Sequence, residues 1–227
     1  MIDLHTHILF EMDDGAKSIE ESITLLQMEL DSGIHTVALT PHCIPAADRL
    51  EKFFNKRNEV YTRLVLEVKK QKLPVNLILG AEVAFTPQLL ELDVDKLCYE
   101  GTKTILVELP MSNYPPFVQD VFYKLLLEGY TPLIAHTERY PYFAKNPQLL
   151  EKLVDMGAHV QINAGPLTRK LYSKRRLFNL ISDKLVHCIA SDTHGVELRP
   201  PKLGTAVKVI EKKLGAETAQ RLVNYNL

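Results

Sequence analysis

The chain has 227 residues, 46% of them hydrophobic and 24% charged, the balance of an ordinary globular protein that can bury one large core. Lys and Arg total 27 against 28 Asp and Glu, so the formal net charge is -1, which excludes bulk electrostatic binding to nucleic acid or to a membrane surface. No apolar run approaches the roughly 20 residues of a membrane span. The start of the chain carries no signal-type segment, and Cys43, Cys98 and Cys188 are too few and too scattered for a disulfide framework, so a reducing cytoplasm is the expected location.

In chain order, a strand at 2–4 is predicted to run into His5-Thr6-His7. A helix follows, opened by the capping box Ser18-Ile19-Glu20-Glu21, carried by Ile19, Ile23, Leu26 and Leu30 at helical spacing, and closed by Gly33. The strand at 36–39 runs into Thr40-Pro41-His42. A long helix at 50–70 leads to a strand at 75–79 and then Gly80-Ala81-Glu82. The strand at 104–109 carries Glu108 near its end. A helix at 117–128 with Gly129 precedes the strand at 132–135, which ends at His136. A helix at 148–156 with Gly157 precedes the strand at 160–163, which ends in Asn163. A helix near 174–183, a strand at 187–190 entering Ser191-Asp192-Thr193-His194, and a helix at 202–213 complete the series. Seven short apolar strands separated by helices predict a parallel sheet covered on both faces, in a single domain over 1–227. A barrel and an open doubly wound sheet both satisfy this pattern.

The polar residues favour the barrel. In parallel α/β folds the C-terminal strand ends share one rim, where active sites form. His5, His7, His42, His136 and His194 all fall there, with Glu82, Glu108 and Asp192. His35, His159 and His187 instead begin strands and belong to the opposite rim, where a structural role is expected. One histidine after a strand is more often a satisfied polar group than a ligand, but this many on one rim read as a metal site. His-x-His at a strand end places both imidazoles on one face, because side chains alternate with period 2. Imidazole with carboxylate suits Zn, Fe or Mn, and the candidates exceed what one ion needs, so two or three are expected.

The ordered set His5-Thr6-His7, Thr40-Pro41-His42, Gly80-Ala81-Glu82, Ala135-His136 and Ser191-Asp192-Thr193-His194 resembles the polymerase and histidinol phosphatase (PHP) superfamily over essentially the whole chain. Asp13-Asp14-Gly15, His136-Thr137-Glu138-Arg139-Tyr140 and Arg199-Pro200-Pro201 are similar to its capsule-regulating bacterial protein-tyrosine phosphatases of the CpsB type. The resemblance implies a distorted TIM-like (β/α)7 barrel with a trinuclear centre. His5, His7, Glu82 and Asp192 would hold the first ion; Glu82, Glu108 and His136 the second; Asp14, His42 and His194 the third. Asp13 competes with Asp14. Mn2+ is the expected metal, with Fe, Zn or Mg also compatible. The implied substrate is phosphotyrosine on a partner bacterial tyrosine kinase that controls polysaccharide export.

The expected chemistry is in-line attack on phosphorus by a metal-activated hydroxide, without a covalent phosphoenzyme. Arg139 and Arg199 are expected to grip the phosphoryl oxygens, since guanidinium matches phosphate bidentately. Three competing expectations stand beside this one. The stretch His42-Cys43 to Arg49 fits the H-C-x5-R signature of cysteine phosphatases, but it has no glycine and Pro45 lacks an N–H, so it cannot form the required anion nest. A PHP phosphatase of a small monoester such as histidinol phosphate would share the same metal core. A non-catalytic, metal-stabilised binding module is the third. The basic run of Arg169, Lys170, Lys174, Arg175 and Arg176 offers attraction for an acidic phosphopeptide tail, but such a run is more often a solvated helix face, and that reading is preferred.

Overall fold

A computed structural model of the chain describes residues 1–169 and 174–227. The strands, in order, are β1 (Ile2–Thr6), β2 (Thr36–Leu39), β3 (His42–Cys43), β4 (Asn76–Leu79), β5 (Glu82–Ala84), β6 (Thr104–Glu108), β7 (Thr131–Ile134), β8 (His159–Asn163) and β9 (Cys188–Ala190). The helices are α1 (Ile19–Asp31), α2 (Ala47–Lys70), α3 (Val118–Leu127), α4 (Pro141–Lys145), α5 (Gln148–Met156), α6 (Ala164–Thr168), α7 (Lys174–Ser182), α8 (Leu203–Leu214) and α9 (Ala216–Val223).

Every pairing among these strands is parallel: β1-β2-β4 in one run, and β3-β5-β6-β7-β8-β9 in another. The two runs are one sheet interrupted twice. β2 and β3 are halves of a strand broken at Thr40-Pro41, and β4 and β5 are halves of a strand broken at Gly80-Ala81. Across the breaks the Gly80 N–H donates to Leu39 O and the Glu82 N–H to Pro41 O, both at 3.0 Å. The last strand then returns to the first: the Asp192 N–H donates to His5 O and the His7 N–H to Thr193 O, both at 2.8 Å. Seven strand positions thus curl into the distorted parallel barrel expected from the sequence.

Side chains divide by alternation. Ala38, Leu106, Leu133 and Cys188 pack with Leu4 and Tyr99 inside the barrel. Val37, Leu39, Ile105, Val107, Val160, Ile162 and Ile189 belong instead to the larger apolar layer beneath the helices. β1 departs from this rule in a useful way. Its register against β2 shifts between Asp3 and Thr6. In a regular strand Leu4 and His5 would face opposite sides; this bulge lets Leu4 enter the interior core while His5 and His7 still turn inward at the rim.

Some local expectations change. The Ser18 side chain does cap α1, accepting the Glu21 N–H at 3.3 Å. The box is not reciprocal, however: the Glu21 carboxylate accepts the Lys17 N–H at 2.8 Å. The short strands β3 and β5 and the helices α4, α6 and α9 were not predicted, and several boundaries move by one to three residues. Of the basic run, Lys170 lies outside the described residues; α7 buries Leu177, Leu180 and Ile181, leaving Arg175 exposed as a solvated face requires.

The opposite rim holds the structural histidines. His159 and His187 stack with centroids 4.2 Å apart at 15°. His159 Nδ1 meets the Tyr225 hydroxyl, and the Val160 N–H donates to His187 Nδ1 at 3.1 Å. Burial, with His159 and Arg221 nearby, pushes His187 down to about 4. The folded chain therefore resists a proton that the unfolded chain accepts near pH 6.5, so this contribution to stability is full above pH 6.5 and is lost as pH falls toward 4. His187→Asn retains an acceptor for Val160 but cannot titrate. The wild-type advantage in Tm over this variant is expected to shrink steadily between pH 6.5 and 4 in thermal melts; an advantage that does not change with pH refutes the assignment.

Candidate metal centre

Nine polar side chains converge at the C-terminal rim. His5 and His7 come from the end of β1, Asp14 from the loop after it, and His42 and Glu82 from β3 and β5, which resume just past the two strand breaks. Glu108 ends β6. His136 and Asp192 lie just beyond β7 and β9 in left-handed backbone, with φ of 30° and 53°. Such conformations cost non-glycine residues roughly 1–3 kcal/mol each and persist where the surroundings enforce them, commonly at functional sites.

Glu82 is the hub. Its Oε1 lies 2.8 Å from His136 Nε2, and its Oε2 lies 2.9 Å from His42 Nδ1, 3.2 Å from His5 Nε2 and 3.3 Å from His7 Nε2. Asp192 Oδ1 is 3.5 Å from His7 Nε2 and 3.6 Å from both His5 Nε2 and His194 Nδ1. Asp14 Oδ1 is 3.4 Å from His194 Nε2 and 3.6 Å from His42 Nε2. Glu108 reaches His136 Nε2 at 3.4 Å and His42 Nδ1 at 3.9 Å. Three clusters have all their donor atoms within 4.8 Å of one another: His5, His7 and Asp192; His42, Glu82 and Glu108; and His7, Asp14, His42 and His194. His7 and His42 each belong to two of these clusters, whereas the family resemblance implied one ion for each.

This donor set fits divalent cations. Glu82 Oε2 and His194 Nε2 are buried with no hydrogen-bond partner among the described residues. The Nε2 atoms of His5 and His7 face each other at 3.2 Å, a pairing that one proton serves poorly and a shared cation serves well. Burial disfavours charge on His7, yet the Asp13 and Glu82 carboxylates override it and hold the imidazole up at about 10. His136 is likewise held at about 9, against burial, by Glu108 and Glu82. Burial opposes charge on Glu82 too, but His5, His136 and His42 keep its carboxyl well below the usual range. A buried cluster of imidazoles and carboxylates draws positive charge, as protons or as cations, and no cysteine stands among its donor groups.

An outer layer orients the candidate ligands. Asp13 Oδ2 bonds His7 Nδ1 at 2.7 Å and accepts the His42 N–H at 2.8 Å, leaving His7 Nε2 for the centre. The structure thus separates the two competing aspartates: Asp13 stands behind His7, and Asp14 faces the cluster. Gln161 Oε1 sits 3.2 Å from His5 Nδ1 and accepts the His136 N–H at 2.7 Å. Asn163 Nδ2 donates to Asp192 Oδ2 at 2.6 Å. Asp3 accepts the N–H of Ser191 at 3.0 Å and of His5 at 3.3 Å, joining the first and last strands beneath the site. Reasoning from sequence missed Gln161, Asp3 and the role of Asp13. A glutamine two residues before Asn163 in an apolar strand was the available signal for the first.

Arg139 and Arg199 stand at the mouth, their side chains 45% and 41% exposed. Arg199 pairs with Asp192 Oδ2 and Arg139 lies 3.8 Å from the same atom, so Asp192 turns one oxygen to the imidazoles and the other to the arginines. Cys43, by contrast, packs in the apolar layer, and burial pushes its thiol up to about 12. Arg49 is exposed, beside Asp48. The H-C-x5-R match therefore supplies neither a thiolate nor a phosphate cradle.

The model of the family described as capsular polysaccharide synthesis, CpsB/CapC, matches residues 1–227. The chain belongs to the CpsB/CapC family. This CpsB/CapC protein is 35% identical over 222 residues to the tyrosine-protein phosphatase YwqE of Bacillus subtilis, covering 96% of this chain and 86% of YwqE. It is 33% identical over 236 residues to the tyrosine-protein phosphatase CpsB of Streptococcus pneumoniae, covering 98% and 94%. Among solved structures, one from a study of YwqE and the pneumococcal CpsB, described there as unique metal-dependent tyrosine phosphatases, superposes with a TM-score of 0.87 at 32% identity, covering 100% of this chain and 96% of the other. A phosphotriesterase homology protein of Escherichia coli shares the fold at 12% identity and a TM-score of 0.57, covering 98% and 95%.

Proposed function

We propose that this CpsB/CapC protein is a metal-dependent protein-tyrosine phosphatase. The observation that carries the reading is the convergence of nine imidazoles and carboxylates with Glu82 at their hub, against four of the imidazoles, its Oε2 having no hydrogen-bond partner among the described residues. The names of its relatives supply the reaction class. His5, His7, Glu82 and Asp192 would hold one ion; Glu82, Glu108 and His136 a second; Asp14, His42 and His194 a third, with Mn2+ compatible with the carboxylate at Glu108. Bound divalent ions supply a nucleophilic water at neutral pH and neutralise phosphoryl oxygens.

The chain's own residues do the rest. Asp13 and Gln161 fix the tautomers of His7 and His5, so that each presents Nε2 to the centre. Arg139 and Arg199, exposed at the mouth, take the outer phosphoryl oxygens and orient the ester for displacement. A tyrosine leaving group has a pKa of about 10 and needs less help from a general acid than an alkoxide. The substrate is phosphotyrosine on a protein, the tail of a tyrosine kinase governing capsule or exopolysaccharide synthesis, and the reaction takes place in the cytoplasm. No helix among the described residues is long and apolar enough to cross a membrane.

The test compares a phosphotyrosine peptide with histidinol phosphate, with chelator and with Mn2+. Peptide turnover should require the metal, survive Cys43→Ala within about twofold, and fall about 10²-fold in His136→Ala. Turnover that persists under chelation and disappears with Cys43 would replace this mechanism with a thiolate one. Turnover of histidinol phosphate alone would move the protein to the small-molecule phosphatases, and no turnover of either would leave a binding module.

A further inference from the structure

Beside the metal centre runs a groove of about 790 Å³, within the roughly 300–1,000 Å³ typical of ligand sites. It is continuous with the centre, because Asp192, Arg139 and Arg199 form part of its wall. The wall goes on past them to two further cations, Arg169 and Lys202. Arg139 and Arg199 both lean on Asp192, whereas no carboxylate among the described residues forms an ion pair with Arg169 or Lys202. Of the carboxylates on the wall, Asp192 belongs to the metal cluster and Glu138 accepts the Asn163 N–H at 3.1 Å, which leaves Glu197. The groove also has apolar lining: Leu198, which is 83% exposed, with Pro166 and Pro200.

A phosphate held at the centre uses Arg139 and Arg199. The two cations further along form no ion pair among the described residues and are not part of that grip, yet they line the same groove, where residues flanking the phosphotyrosine would lie. Chain with a carboxylate satisfies them, and its backbone and aliphatic atoms can lie along Leu198 and the prolines. We propose that this groove is a substrate subsite in which Arg169 and Lys202 select a phosphotyrosine flanked by Asp or Glu. The proposal rests on the phosphatase reading and adds to it a preference among phosphotyrosine sequences.

The test uses the full-length, Mn2+-loaded protein, p-nitrophenyl phosphate as a substrate without flanking residues, and paired phosphotyrosine peptides that differ only in Asp against Asn at flanking positions. The acidic peptide should be preferred in kcat/KM by about tenfold at low salt, mostly through KM, and the preference should decline as salt is raised. In an Arg169→Gln/Lys202→Gln variant the ratio between the peptides should approach one. Lys202→Glu should favour the Asn peptide, which keeps the test informative if the double variant folds poorly. A wild-type ratio near one, or a variant that slows both peptides equally, overturns the subsite while p-nitrophenyl phosphate turnover leaves the phosphatase reading intact. No turnover of p-nitrophenyl phosphate or of either peptide overturns the phosphatase reading itself.

Discussion

Glu82→Gln is expected to reduce kcat/KM by about 10³, with the fold intact and the bound metal at least halved. Glutamine preserves the shape of a side chain that is 1% exposed, so the barrel has no steric reason to change. What disappears is a negative charge with four imidazoles within 3.3 Å of its two oxygens. An amide keeps one neutral acceptor oxygen at such a position, but its NH2 is a donor only and can neither accept from a ring N–H nor bind a cation. Removing a carboxylate shared by two candidate metal positions weakens both. The several kcal/mol that metals supply to a phosphoryl transition state correspond to about three powers of ten. Metal content by mass spectrometry separates this from a defect in chemistry alone. So does the rise in Tm when Mn2+ is added, which should be smaller in the variant because binding to the folded state is the source of that rise. A Glu82→Gln protein with full metal content and activity within tenfold of wild type would remove Glu82 from the centre of the mechanism.

The hub was legible in the sequence because of a contrast: Glu82 follows an apolar strand and Gly80-Ala81, where nothing else explains a carboxylate. The same contrast marked His5, His7, His42, His136, Asp192 and His194, and all of them meet at one rim. Hydrophobic runs gave the seven strand positions for the same reason, since a strand covered on both sides must be apolar along most of its length. Other features depend on long-range contacts that no local pattern encodes. Gln161 acts on His5, 156 positions away, and on His136. The bulge in β1 is set by pairing with β2, not by the composition of Ile2–Thr6. Asp13 and Asp14 are adjacent in a loop without periodicity, so only the fold tells which one faces His194 and which supports His7. The reciprocal capping box failed at the scale of one turn, because the Glu21 carboxylate reaches Lys17 N–H instead of its expected donor. The cysteine signature shows the converse danger. Cys43 follows His42 in a strand, so alternation places it in the apolar layer on the opposite side from the ligands.

Gly15→Ala should disable the site from behind, through the backbone of His7. A Cβ at position 15 would lie 2.1 Å from His7 O and 2.5 Å from His7 Cβ, whereas real Cβ contacts essentially never fall below 3.0 Å. The obstacle is main chain, so no side-chain rotation relieves it. The loop is also tied at that point: the Ala16 N–H donates to His7 O at 3.0 Å, the Glu11 N–H to Ala16 O at 2.9 Å, and the Gly15 N–H to Asp13 Oδ1 at 2.9 Å. Making room means moving either β1 or this loop, and the loop carries both Asp13, which orients His7, and Asp14, which faces His42 and His194. Overpacking of this kind costs about 1–3 kcal/mol or more. In a chain of this length each kcal/mol corresponds to about 2–4 °C, so Tm should fall by about 2–12 °C. Displacing ligands by even about 1 Å should lower kcat/KM by at least 10². Gly165→Ala is the stability control, because a Cβ there meets nothing within 4 Å and its Tm should not fall below the wild-type value. Loss of activity and metal with the Tm drop confined to Gly15→Ala would tie the loop's packing to the centre it supports. A Gly15→Ala protein that keeps its metal and its Tm would show that this loop relaxes without moving His7, and the close approach of the two chains would then have no part in building the site.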